Sequence, residues 1–159
     1  MKWPRDARTI EAVYPLDGRF DVRVMGGVRT PMRVLGVSRT PEAWQSIPRG
    51  GMSARTFLNS VDFFMFYQAP EAYEAFGRAI LEAAAAGAVP VIPGHFRSTF
   101  GPAAVYAEWQ DAAECVTELY ASQRDYLAQV ERGREHVNTQ FGPDRYRRII
   151  GRYLHAHVV

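Results

Sequence analysis

The chain contains one cysteine, Cys115, so neither a disulfide framework nor a multi-cysteine zinc site can be built. Lysine is as scarce: Lys2 stands alone, and nearly all positive charge is arginine. No apolar run reaches the roughly 18 residues of a membrane span, and Met1-Lys2-Trp3-Pro4-Arg5-Asp6 lacks the apolar core of a signal peptide. A reducing, cytoplasmic setting is the expectation. Neither sign of charge is in large excess, 19 basic against 17 acidic residues for a net +2, which makes no electrostatic case for nucleic acid. Basic residues are not interleaved with aromatic platforms on strands. There is no Asp-x-Asp pair, His155 and His157 lack a third ligand nearby, and no internal repeat or heptad series is present.

What is there suffices for one folded domain over residues 1–159. With 47% hydrophobic and 13% aromatic residues, a chain of this length buries roughly two-thirds of its unfolded surface. Residues 7–13 suggest a short helix and residues 20–25 a strand closed by Gly26-Gly27. The proline- and glycine-rich stretch 30–51 reads as mostly loop around one weak helix at 32–35. Ser53 caps a short helix through Leu58. VDFFMFY, residues 61–67, is a continuous apolar run that suits a strand covered on both faces in mid-sheet. A helix over 76–86 stopped by Gly87, a strand at 89–92 and a further strand at 104–106 follow. Beyond Asp111 the pattern is helical, with breaks at Ser122, Gly133 and Gly142-Pro143. The expected fold is α/β, a Rossmann-like three-layer sandwich with a parallel sheet and a helical C-terminal tail.

In open parallel sheets the ligand crevice lies outside the carboxyl ends of the strands. That directs attention to the loops at Gly26-Gly27, at 68–76, at 93–101 and after Tyr106. The second runs into Glu74-Ala75-Phe76-Gly77-Arg78-Ala79-Ile80-Leu81-Glu82. If Glu74 sits at the helix mouth and Glu82 two turns in, helix rise separates them by about 12 Å, the scale of a nucleotide-sugar. Free amides near Phe76, Gly77 and Arg78 could hold a diphosphate, and Gly77 would let that backbone approach closely. Ionised carboxylates are acceptors, so their partners would be hydroxyls of a sugar and a ribose. Two glutamates eight apart are also an ordinary feature of a helix start, where the dipole favours acids.

The segment 57–105, with FLNSVDFFMFY, EAFGRAILEAAAAGAVPVI and FGPAAVY, resembles the donor-binding half of retaining glycosyltransferases of the GT-B fold, of the E-x7-E type. The resemblance extends more weakly over nearly the whole chain. It implies that Glu74 contacts the donor sugar as the catalytic carboxylate, that the Phe76-Gly77 backbone meets sugar and phosphate, and that Glu82 holds the ribose hydroxyls. Arg78 would add charge to the phosphates, Lys2 would be the phosphate lysine, Gly26 and Gly27 would run beside the donor, and His95 could touch it. No metal or other cofactor is implied beyond the donor itself.

The departures shape the functional expectation. GT-B enzymes have two Rossmann-like domains, and these residues provide for one, with the acceptor half absent. The strand and Gly-Arg loop that would precede Lys2 are absent as well. An acceptor domain on another polypeptide, or a homo-oligomer, is the implied partner. The alternative is a non-catalytic nucleotide-sugar-binding or interaction module. Arg145, Arg148 and Arg152 share one face of the last helix with Ile149, Ile150 and Tyr153 toward the other, which allows a weak membrane-surface contact or, more simply, a solvated face over a packed one.

Overall fold

The computed structural model describes residues 3–72 and 74–156, with side chains through residue 154. Lys2 and His157 lie outside the described residues. The elements alternate in chain order: α1 (Ala7–Val13), β1 (Val22–Met25), α2 (Arg29–Leu35), β2 (Trp44–Ile47), α3 (Ala54–Leu58), β3 (Phe63–Met65), α4 (Arg78–Ala86), β4 (Val89–Ile92), α5 (Arg97–Phe100), β5 (Val105–Tyr106), α6 (Ala112–Ala121), α7 (Gln123–Phe141) and α8 (Pro143–Ala156). Local chemistry explains several boundaries. Asp6 and Ser53 cap α1 and α3 by accepting from the Thr9 and Thr56 amides, and Ser122 caps α7 in the same way. Gly36 and Gly87 close α2 and α4 in the left-handed conformation.

All strand pairing is parallel, but it falls into two sheets: β1-β2, and β3-β4-β5. Alternating side chains send β3, β4 and β5 into two clusters. Phe63, Met65, Val91 and Val105 pack toward Val13 of α1 and Val116 of α6, while Phe64, Phe66, Ile92 and Tyr106 pack toward Ile80 and Ala84 of α4 and Phe100 of α5. The β1-β2 pair is covered likewise, with Val24 and Trp44 against Ile10 of α1 and Ile47 against Phe57, Leu58 and Ala83 of α3 and α4. The architecture is therefore the expected α/β arrangement of helices on both faces of parallel strands.

Four expectations change. The apolar run 61–67 is not in mid-sheet: β3 is the edge of its sheet and only half-buried, while β4 is central with all four residues buried. Pro90 is tolerated there because pairing with β5 begins one residue later, at Val91 opposite Val105. The stretch read as loop contains β2, whose burial alternates too little to announce a strand. Helix α4 begins at Arg78, two residues later than expected. Gly133 breaks nothing; it lies inside α7, where an added Cβ would stand 3.4 Å from the Ala103 carbonyl and 3.8 Å from Ala84 Cβ. A small residue lets α7 lie close over α4 at that point.

The final helix carries exposed apolar side chains: Tyr146, Ile149, Ile150, Tyr153 and Leu154. No described helix is long and apolar enough to cross a membrane.

Candidate functional site

The mouth of α4 is built around a glycine. Gly77 has φ +84°, and a Cβ there would stand 3.0 Å from Ile80 Cδ1 and 3.1 Å from Phe100 Cζ, so both conformation and space disfavour a side chain. Its N–H donates to Glu74 Oε1 at 3.1 Å, placing an acid where the helix dipole favours one. The Ile80 and Leu81 amides return to the Gly77 carbonyl at 2.9 and 3.3 Å. The Arg78 and Ala79 amides therefore stand ahead of the first intrahelical bond. Phe76 is half-exposed, its ring 6.0 Å from that of Phe100 and 5.6 Å from that of Phe141. Arg78 Nε meets Glu82 Oε1 at 3.2 Å, one turn apart on the exposed face of the helix.

Two cavities open beside the strands. The smaller, about 440 Å³, lies at the carboxyl ends of β3 and β4, and Asp6, Arg8, Tyr67, Gln68, His95 and Glu108 are among its lining residues. Gln68 contributes a side-chain amide nitrogen that is sealed from solvent and makes no hydrogen bond. The Tyr67 hydroxyl donates to the Ala107 carbonyl at 2.9 Å, and burial pushes its pKa well above the ordinary tyrosine range. The larger cavity, about 940 Å³, lies between β1 and β3 and is walled by α3, α4 and α6.

The sequence-derived site residues are distributed over these features. Glu82 lines the larger cavity, and His95, exposed with its ring 4.2 Å from that of Phe96, lines the smaller. Glu74 lines neither of the two. The expected 12 Å spacing along one helix does not apply, because Glu74 lies before the helix and the left-handed turn at Gly77 intervenes. Gly26 and Gly27 follow β1 at φ +99° and +104°, with open space where their side chains would be. Lys2 lies outside the described residues. Sequence reasoning pointed to the loops 68–76 and 93–101 but did not single out Gln68, Tyr67, Asp6 or Arg8; the signal available was position, Gln68 being the first residue after the apolar run 61–67.

Among the described residues no group of three or more His, Cys, Asp and Glu side chains is placed to hold a metal ion. Cys115 is not a primed nucleophile: burial first, then Glu118 and Asp111, push its thiol pKa up. A raised pKa leaves less thiolate near neutral pH, so alkylation of the native protein by iodoacetamide at pH 8 will run slower than that of a free cysteine peptide. Denaturation will remove the difference, as mass spectrometry of quenched samples can read.

No family model, no curated protein and no solved structure matches the chain.

Proposed function

We propose that the chain is the donor-binding domain of a retaining GT-B-type glycosyltransferase, taking a nucleotide-diphosphate sugar for metal-independent transfer to an acceptor supplied by another domain. The observation that carries this reading is the mouth of α4. Gly77, held in a conformation no other residue adopts easily, opens a helix after a parallel strand with its N–H bonded to Glu74, with the Arg78 and Ala79 amides ahead of the first intrahelical bond and with Glu82 one turn further in. Peptide N–H groups at a helix start bind phosphate through their partial charge and direction. As the bond from the anomeric carbon to the diphosphate breaks, negative charge grows on the leaving oxygen, and preorganised N–H donors stabilise that charge without reorganising. Glu82, facing the larger cavity, accepts from the ribose hydroxyls, and Glu74 from hydroxyls of the sugar.

Proximity of an acceptor hydroxyl is the remaining requirement, and it comes from outside this domain. The domain alone binds the donor and turns it over feebly. Binding to the native state raises the melting temperature, so a panel of nucleotide-sugars screened by thermal shift tests the reading directly; no shift with any member, at millimolar ligand, overturns it. With a hit in hand, Glu82→Ala should weaken the donor by roughly tenfold to a hundredfold in calorimetry, the worth of lost hydrogen bonds to a charged group, about 1.5–3 kcal/mol. Folding should hardly change, because the Arg78 pair it removes is exposed and worth ~0–1 kcal/mol.

A further inference from the structure

The larger cavity is bounded by two strand edges that have no strand partner among the described residues. On β1, the Val22 N–H donates to the Ala43 carbonyl at 3.1 Å and the Gly26 N–H to the Ile47 carbonyl at 3.0 Å, so residues 22, 24 and 26 turn their backbone groups to β2. On β3, the Asp62 carbonyl accepts from Val89 at 2.8 Å and the Phe66 N–H donates to the Val91 carbonyl at 3.3 Å, so residues 62, 64 and 66 turn theirs to β4. The N–H and C=O groups of Arg23, Met25, Phe63 and Met65 therefore point the other way, and these four residues all line the cavity. Of these backbone groups the Met65 carbonyl meets the Tyr14 hydroxyl, at 3.4 Å.

The two edges run in the same sense. Helix α1 starts beside the carboxyl ends of β3 and β4, where Pro4, Asp6 and Arg8 share the smaller cavity with Gln68 and Pro93, and its carboxyl end leads back into β1. At the amino ends, an Arg23 guanidinium N–H donates to the carbonyl of Ser60, just ahead of β3, at 2.9 Å. The walls are mainly apolar on both faces, with Phe57, Leu58 and Ala79 on one and Val13, Val116 and Tyr120 on the other, and Glu82 and Thr117 add a polar group to each.

Open edges of parallel strands facing each other, with helices covering both faces, have the hydrogen-bonding pattern of a sheet lacking its middle strand. We infer that the slot between β1 and β3 receives an extended apolar peptide strand from outside these 159 residues. It runs parallel to both edges and joins the two sheets into one of order β2-β1-strand-β3-β4-β5. A strand covered on both faces is apolar along its whole length, and four to six residues span about 13–20 Å, which matches the neighbouring strands. Backbone pairing on both sides supplies affinity, as in strand addition generally. This inference does not rest on the donor-binding reading and fails or stands apart from it.

The test uses the whole chain and a blocked peptide with a central Val-Ile-Val-Val-Ile flanked by lysine pairs, read by hydrogen exchange at individual amides. The expected result is slowing of Arg23, Met25, Phe63 and Met65 amide exchange by about tenfold or more, lost when alternate peptide amides are N-methylated. Met25→Pro removes one slot-facing donor while leaving the β2 side intact, and should weaken the peptide in the same assay. If that variant does not fold, the N-methylated peptide carries the comparison alone. Unchanged exchange, equal slowing by the methylated peptide, or slowing that follows the concentration of the chain itself without peptide would each overturn the inference, the last by showing that a second copy fills the slot.

Discussion

Phe100→Ala is expected to lower the stability of the fold by about 3–5 kcal/mol, the cost of removing a fully buried ring and leaving a cavity. Phe100 is 0% exposed and belongs to the cluster of Ile80, Ala84, Ile92 and Phe96 between α4 and β4. Its ring is 6.0 Å from Phe76 and 6.1 Å from Phe96, so few flexible neighbours can fill the void. In a domain of this size the loss corresponds to a fall in melting temperature of roughly 10 °C or more. Denaturant titration should show a lower midpoint with an unchanged slope. Phe141→Ala, which removes a ring 37% exposed from the other side of Phe76, should cost much less. Equal losses for the two would contradict the assigned core.

The second large effect is expected from Gly77→Ala. An L-residue held at φ +84° costs about 1–2 kcal/mol, and a Cβ 3.0–3.1 Å from Ile80 and Phe100 adds overpacking of about 1–3 kcal/mol. A loss of about 2–5 kcal/mol follows, measurable by chemical denaturation. Gly26→Ala is the control. It shares the positive φ, at +99°, but meets no atom within 4 Å, so only the conformational part remains and the loss should be near 1–2 kcal/mol. A tie between the two variants would mean that the close packing at Gly77 contributes nothing. If Gly77→Ala folds, donor binding should fall as well, since the mouth of α4 moves with that residue.

The larger cavity reaches α4 at Ala79, beside the helix mouth, and at Glu82, one turn further in. Filling the slot with a strand would therefore place new backbone beside the proposed ribose contact. Donor binding and strand binding are accordingly separable by experiment but adjacent in space.

Much of the local structure was written in short-range chemistry. Ser53 ahead of α3, Ser122 ahead of α7, Gly87 after α4 and Gly142-Pro143 between α7 and α8 each act within a few residues, by capping or by breaking a helix. The alternating strand and helix pattern over residues 61–106 needed no long-range contact to be read, because its apolar runs and helix formers are strong. Glu74, Phe76, Gly77, Arg78 and Glu82 were singled out through a resemblance rather than through spacing, and of that stretch only the helix from Arg78 onward follows from its strong helix formers.

Other features became visible only in three dimensions. Trp44-Gln45-Ser46-Ile47 is a strand because β1 lies beside it, and Gly133 sits inside α7 at the point where Ala84 of α4 and the Ala103 carbonyl come close. The position of β3 at an edge, the separation of Glu74 from the cavity that Glu82 lines, and the unpaired slot between β1 and β3 were likewise decided by assembly. Local propensity acts over one helical turn or one strand and is set by the residues themselves. Which edges pair, which pockets form and which acid faces them depend on how distant segments pack, and no spacing along the chain encodes that by itself.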